Sequence, residues 1–147
     1  MEKERLSGMI SAQVHCADNC IQRECNRKFG EIGLTNQQAM VIAYLVIADR
    51  QKEKVNQRRI QEFLQISNPS VVSLVKSLEK KDFLMRDSDP EDGRNTLLVL
   101  TDKGFDTAVK IMPMLDELDT EISRALTMRE VATLQKAMTK IIKAFNK

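Results

Sequence analysis

A mainly α-helical fold carrying one small β-hairpin is what the sequence predicts, from three features. Apolar residues recur at helical spacing through most of the chain. The period shortens to that of strands between Phe83 and Leu100, and the cluster DPEDGR, Asp89 to Arg94, between the two strand-like stretches favours turning.

The elements follow in order. Leu6, Met9, Ile10, Val14, Ala17 and Ile21 predict a first helix from about residue 4 to a break at Gly30 to Gly33. Thr35 with Gln38 forms a capping box before AMVIAYLVIA, which is apolar all round and so belongs in the core. After the polar stretch DRQKEKVN, a short helix from about Gln57 is expected to bury Ile60, Phe63 and Leu64. A tight connection leads into the next helix, with Asn68 as cap, Pro69 in the first helical position and Val71, Leu74, Val75 and Leu78 as buried stripe. FLMRDS and NTLLVL make the hairpin. Thr101 caps a long helix carrying Phe105, Ala108, Met112, Leu115 and Ile122, in which Pro113 is expected to cause a kink or local opening. A second capping box, Thr127 with Glu130, opens a last helix carrying Val131, Leu134, Met138, Ile141 and Phe145.

Composition limits what such a chain does. At 147 residues and 42% hydrophobic content it has enough material for one compact core. No apolar run approaches the ~20 residues of a membrane span, and MEKERLSGMIS lacks the apolar stretch of a secretory signal, so a cytoplasmic protein without membrane contact is expected. The three cysteines, Cys16, Cys20 and Cys25, are odd in number and crowded, unlike a disulfide framework. With one histidine, His15, the chain is short of zinc ligands, and no metal or cofactor is expected. There is no nucleophile paired with a base, no readable carboxylate pair and no glycine-rich phosphate loop, so the chain does not read as an enzyme.

Charge is informative only locally. The net charge is +2, yet Arg50, Lys52, Lys54, Arg58, Arg59, Lys76, Lys80, Lys81, Arg86 and Arg94 make the middle basic, while Asp116, Glu117, Asp119 and Glu121 make a later segment acidic. Opposite the apolar stripe at Val71 to Leu78 stand Ser70, Ser73, Lys76, Ser77 and Lys80, short or basic side chains that let a helix backbone approach another surface. On an isolated helix such a face is ordinary solvated surface. Two short helices in tandem are the geometry of a helix-turn-helix, whose second helix enters a DNA major groove. A hairpin directly after it is a wing, and Arg94 near its tip is placed to enter the narrow minor groove, with Asp92 holding its side chain extended.

SVVSLVKSLEKKDFLMR, Ser70 to Arg86, and DPEDGRNTLLVLTDKG, Asp89 to Gly104, resemble the MarR-type (multiple antibiotic resistance regulator) winged-helix transcription regulators. The second stretch fits that family's Asp-x-Arg wing followed by Leu-Thr-x-x-Gly. LTNQQ from Leu34 and LTMREVATL from Leu126 extend the resemblance over nearly the whole chain, while Asp82 departs from it where the family usually has glycine. The resemblance implies a single MarR-type domain over 1–147, with dimerisation helices at about 1–33 and 102–147 and a winged helix-turn-helix lobe at about 35–101. It also implies a homodimer of triangular outline on a pseudo-palindromic operator in double-stranded DNA. Such a dimer usually represses and is released by a small ligand or by oxidation.

The residues expected to meet DNA are Ser67, Asn68, Pro69, Ser70, Ser73, Lys76 and Ser77, with Arg86, Asp92 and Arg94 on the wing. An aromatic or otherwise amphipathic effector would sit in a crevice involving His15, Met40 and Tyr44. Two alternatives stay open: a thiol-based redox sensor using Cys16, as in some relatives with a cysteine in the first helix, and a winged-helix module for protein contacts without DNA.

Overall fold

The computed structural model describes residues 1–146. Its elements in chain order are α1 (Glu2–Ser7), α2 (Ile10–Gly30), α3 (Asn36–Arg50), α4 (Gln57–Leu64), α5 (Asn68–Lys80), β1 (Leu84–Ser88), β2 (Thr96–Leu100), α6 (Asp102–Arg124) and α7 (Met128–Phe145). The predicted fold class holds: helices with one antiparallel hairpin, in which Leu84 pairs with Leu100 and Ser88 with Thr96. No helix among the described residues is long and apolar enough to cross a membrane.

Two compact units make up the chain, Met1–Met112 and Pro113–Lys147. The helices α1 and α2 fall in the same unit as the hairpin. In that first unit α3 is the central helix, burying Ala39, Val41, Ile42, Ala43, Leu45, Val46 and Ala48. Around it lie α2, α5 and β2, and α4 packs on α5. Phe29, Ile60, Leu78, Leu84 and Ile111 are among the largest side chains fully withdrawn from solvent. Thr35 caps α3 as its sequence indicates, with both halves of the capping box present.

Three local expectations are corrected. The first helix is interrupted at Gly8, where α1 ends, and Met9 turns extended before α2 begins. The cap of α5 is Ser67, whose hydroxyl accepts from the Ser70 N–H, so Asn68 is the first helical residue and Pro69 the second. Proline is tolerated there for the expected reason, since the N–H groups of the first turn have no intrahelical acceptor. Phe63 is not core; it is 42% exposed and stacks on Tyr44 with ring centroids 4.6 Å apart, while Leu64 is half-buried. Pro113 lies inside the long helix, which runs on to Arg124.

The second unit holds the rest of α6 and α7. Its capping box is formed as expected, Thr127 accepting from the Glu130 N–H. None of the residues of α7 is buried, and Met128, Leu134, Ile142 and Phe145 are exposed.

Candidate nucleic-acid interface

The turn joining α5 to β1 sets the geometry of the site. Phe83 N–H donates to Leu78 O at 2.9 Å and Asp82 N–H to Glu79 O at 3.0 Å, a helix-ending pattern that puts Asp82 in the left-handed region at φ 66°. Glycine is the residue that takes this conformation without a side-chain penalty, which accounts physically for the unusual Asp82. Phe83 and Leu78, both buried, supply the apolar contact that accompanies such an ending. The Thr101 hydroxyl then donates to Asp82 O at 2.5 Å and accepts from Gly104 N–H at 3.1 Å, so one residue fastens this turn to the start of α6. Recognition-type helix, wing and long helix therefore share one junction.

On α5 the hydroxyl-rich face is open. Ser67, Asn68, Pro69, Ser70, Ser73 and Lys76 are exposed, opposite buried Val71, Leu74, Val75 and Leu78. An open cleft of about 480 Å³ lies against this face, lined by Gln37, Pro69, Ser70, Ser73 and Leu74. Gln37, from the stretch LTNQQ, stands beside the face.

Ser77 sits elsewhere. It is half-buried, and its hydroxyl accepts from the amide of buried Gln38 at 2.8 Å, so it joins α5 to the start of α3. The same Gln38 amide oxygen accepts from Thr35 N–H, which closes the capping box. Arg86 is also engaged: its Nε lies 3.3 Å from Glu79, and the Gln57 amide oxygen, in the orientation that satisfies both groups, accepts from its terminal nitrogens at 3.1 and 3.3 Å. It braces β1 against α5 and α4.

The wing tip differs from expectation in one bond. Asp92 accepts from the backbone N–H of Arg94 at 3.1 Å, shaping an Asx turn and leaving the Arg94 guanidinium without a carboxylate partner among the described residues. At its base the wing is anchored by Asp89, which is 7% exposed. Its carboxylate accepts from Lys54 Nζ at 2.7 Å, from Glu91 N–H at 3.0 Å and from Asn95 Nδ2 at 3.1 Å. The Lys54 ammonium, followed by these N–H donors, holds the carboxyl down at about 2. Leu98 N–H adds a backbone bond to Val55 O at 2.8 Å.

Residues 34–104 match the family described as winged helix DNA-binding domain. The HTH-type transcriptional regulator YdcH of Bacillus subtilis is 28% identical over 109 residues, 74% of each chain. Residues 34–104 thus form a winged-helix DNA-binding domain, and the chain is similar to HTH-type transcriptional regulators. Its fold matches the S. aureus MepR–DNA complex with a TM-score of 0.82 at 22% identity, covering 93% of this chain and 98% of that one. It also matches a MarR variant from E. coli complexed with operator DNA (TM-score 0.77, 21% identity, 90% and 92% covered). CouR from Rhodococcus jostii bound to p-coumaroyl-CoA gives 0.79 at 23% identity, with 93% and 94% covered.

The expected effector residues are dispersed in their engagements. His15 is exposed on α2 with its ring 3.1 Å from the Asn19 amide, Met40 is half-buried on α3, and Tyr44 is committed to the stack with Phe63. Cys16 and Cys20 are exposed free thiols on α2, whereas Cys25 is buried and its thiol is pushed up, first by burial and then by Glu24. No group of His, Cys, Asp and Glu among the described residues has the arrangement of a metal site.

Proposed function

We propose that the protein is a homodimeric repressor that reads a pseudo-palindromic operator in double-stranded DNA. In this reading Ser70, Ser73 and Lys76 of α5 lie in the major groove, helped by Ser67, Asn68, Pro69 and Gln37, and Arg94 enters the minor groove. The observation that carries it is the exposed hydroxyl-and-lysine face of α5, in the same compact unit as a wing whose terminal guanidinium is uncommitted. Small side chains admit close backbone approach, and a free guanidinium suits a narrow groove of negative potential. Ser77 and Arg86 act behind this surface, holding α5 and β1 in place.

Dimerisation is supported by apolar surface left uncovered in each unit. Leu6, Met9 and Ile10 are exposed in the first, and in the second a groove of about 430 Å³ is lined by Leu126, Arg129, Glu130, Thr133, Leu134 and Ala137. A second copy related by a twofold axis would cover such surfaces and present two helix-wing units about one DNA turn (~10 bp) apart. Release by a small amphipathic or aromatic ligand is the proposed signal, by analogy with the ligand named for CouR. The exposed thiol of Cys16 favours a second reading, release by oxidation.

Selection of bound fragments from genomic DNA, followed by gel-shift measurement at physiological salt, tests the reading. The expected result is a palindromic site held far more tightly than random duplex. Equal affinity for both would leave a winged helix used for protein contacts. Peroxide treatment of the same complex separates the two signals: oxidative release that Cys16→Ser abolishes favours the thiol.

A further inference from the structure

The wing is tied to the helix-turn-helix by a directed chain of side-chain hydrogen bonds. Lys54 Nζ and Asn95 Nδ2 both donate to Asp89. The Asn95 amide oxygen accepts from Asn56 Nδ2 at 3.0 Å, and the Asn56 oxygen accepts from Arg59 N–H at 3.0 Å, which is the N-cap of α4. Every donor in this chain points toward the carboxylate. The direction is therefore set by a charge at one end and expressed as a helix cap at the other. Arg59 closes back on the same loop, donating to Lys54 O at 3.0 Å and pairing with Glu53 at 3.2 Å.

A turn that only needed to close a hairpin would satisfy its carboxylate locally, as the Glu91 N–H and Asn95 amide do. Here the cation comes from 35 residues earlier, from the loop that leads into α4. A nearly buried carboxylate is stable only when its charge is met, so Asp89 holds that loop as firmly as the loop holds the wing. We propose that Asp89 is a positioning residue for DNA reading: through Lys54 and Asn95 it locks the wing to the N-terminus of α4 and thereby sets where Arg94 is presented relative to α5. The proposal rests on the DNA-reading function above and extends it to residues outside the α5 face and the wing tip.

Substitution by asparagine is the sharp probe. It keeps size and one acceptor, but its amide N–H₂ faces either Lys54 or the Asn95 amide, donor against donor. Relieving that clash by turning Asn95 reverses the next bond as well, up to the cap at Asn56.

The experiment measures two things on full-length protein: amide exchange over 89–95, and operator affinity of wild type, Asp89→Asn, Arg94→Ala and the double variant. Lys54→Gln, at a half-exposed lysine that core packing does not need, is the second probe, and Lys54→Arg the rescue. Expected are exchange faster by about tenfold in the wing, with α3 unchanged, and an affinity loss of about tenfold that shrinks below about twofold in the Arg94→Ala background. Lys54→Gln should repeat both effects and Lys54→Arg restore them. Unchanged wing exchange would overturn the anchor. An equal Asp89→Asn penalty with and without Arg94 would overturn its role in presenting that arginine. Faster wing exchange in a protein whose wild type prefers no operator would instead fail the DNA reading, and the proposal with it.

Discussion

Gly104, in the first turn of α6, lies against the carbonyl oxygen of Phe83 so closely that a β-carbon there would overlap it and would also come within 2.9 Å of Leu100 Cδ2. The glycine of the Leu-Thr-x-x-Gly pattern is thus a packing requirement at the junction of wing and long helix. Gly104→Ala should destabilise the protein by about 3 kcal/mol, the upper part of the usual overpacking range, because backbone cannot yield as a flexible side chain does. Urea unfolding checks it; an unchanged midpoint would mean that α6 can shift without loss.

Asp82 predicts the opposite sign. A non-glycine residue in the left-handed region costs roughly 1–2 kcal/mol, partly offset by the greater chain entropy that glycine loses on folding. Asp82→Gly should therefore stabilise by about 0.5–1 kcal/mol. Thermal melting measures it, and operator affinity should stay as it was.

Ser77 and Ser73 sit on the same helix but should respond differently. Ser77→Ala removes the acceptor of the buried Gln38 amide and should cost about 1–3 kcal/mol of folding stability. Ser73→Ala, at an exposed position, should leave stability within about 0.5 kcal/mol and instead change which operator sequence is preferred. Paired melting and binding measurements on the two variants decide between structural and contact roles.

At the wing tip, Arg94→Ala should lose about 1–3 kcal/mol of operator binding and show a shallower salt dependence, with major-groove preferences kept. Because Asp92 accepts from the backbone of Arg94, Asp92→Asn retains the turn and should bind nearly as wild type, while Asp92→Ala should weaken binding by less than Arg94→Ala. Full affinity of a folded Arg94→Ala protein would show that the hairpin reads no DNA.

Leu134 lines the apolar groove of α7 and is 40% exposed. Leu134→Glu should give a folded monomer with weak DNA binding, since a charge in a dimer contact costs far more than one in water. Sedimentation velocity reports the mass directly. A dimer of normal affinity would place the contact elsewhere.

Much of this was legible in the sequence because its causes are local. Capping boxes at Thr35 and Thr127, the stripe from Val71 to Leu78, and the shift of period at the hairpin depend on residues three or four apart, or on alternate ones. The motif around Asp92, Arg94, Thr101 and Gly104 was equally readable, as was the exposed face of Ser70, Ser73 and Lys76. What only the tertiary structure decided is which polar groups are already taken. Ser77 turns to a glutamine 39 positions away, Lys54 reaches Asp89 across 35, and Arg86 is shared between Glu79 and Gln57. A hydrogen bond or ion pair needs its atoms within about 3 Å, and no spacing along a chain specifies such a meeting until packing has brought the two segments together.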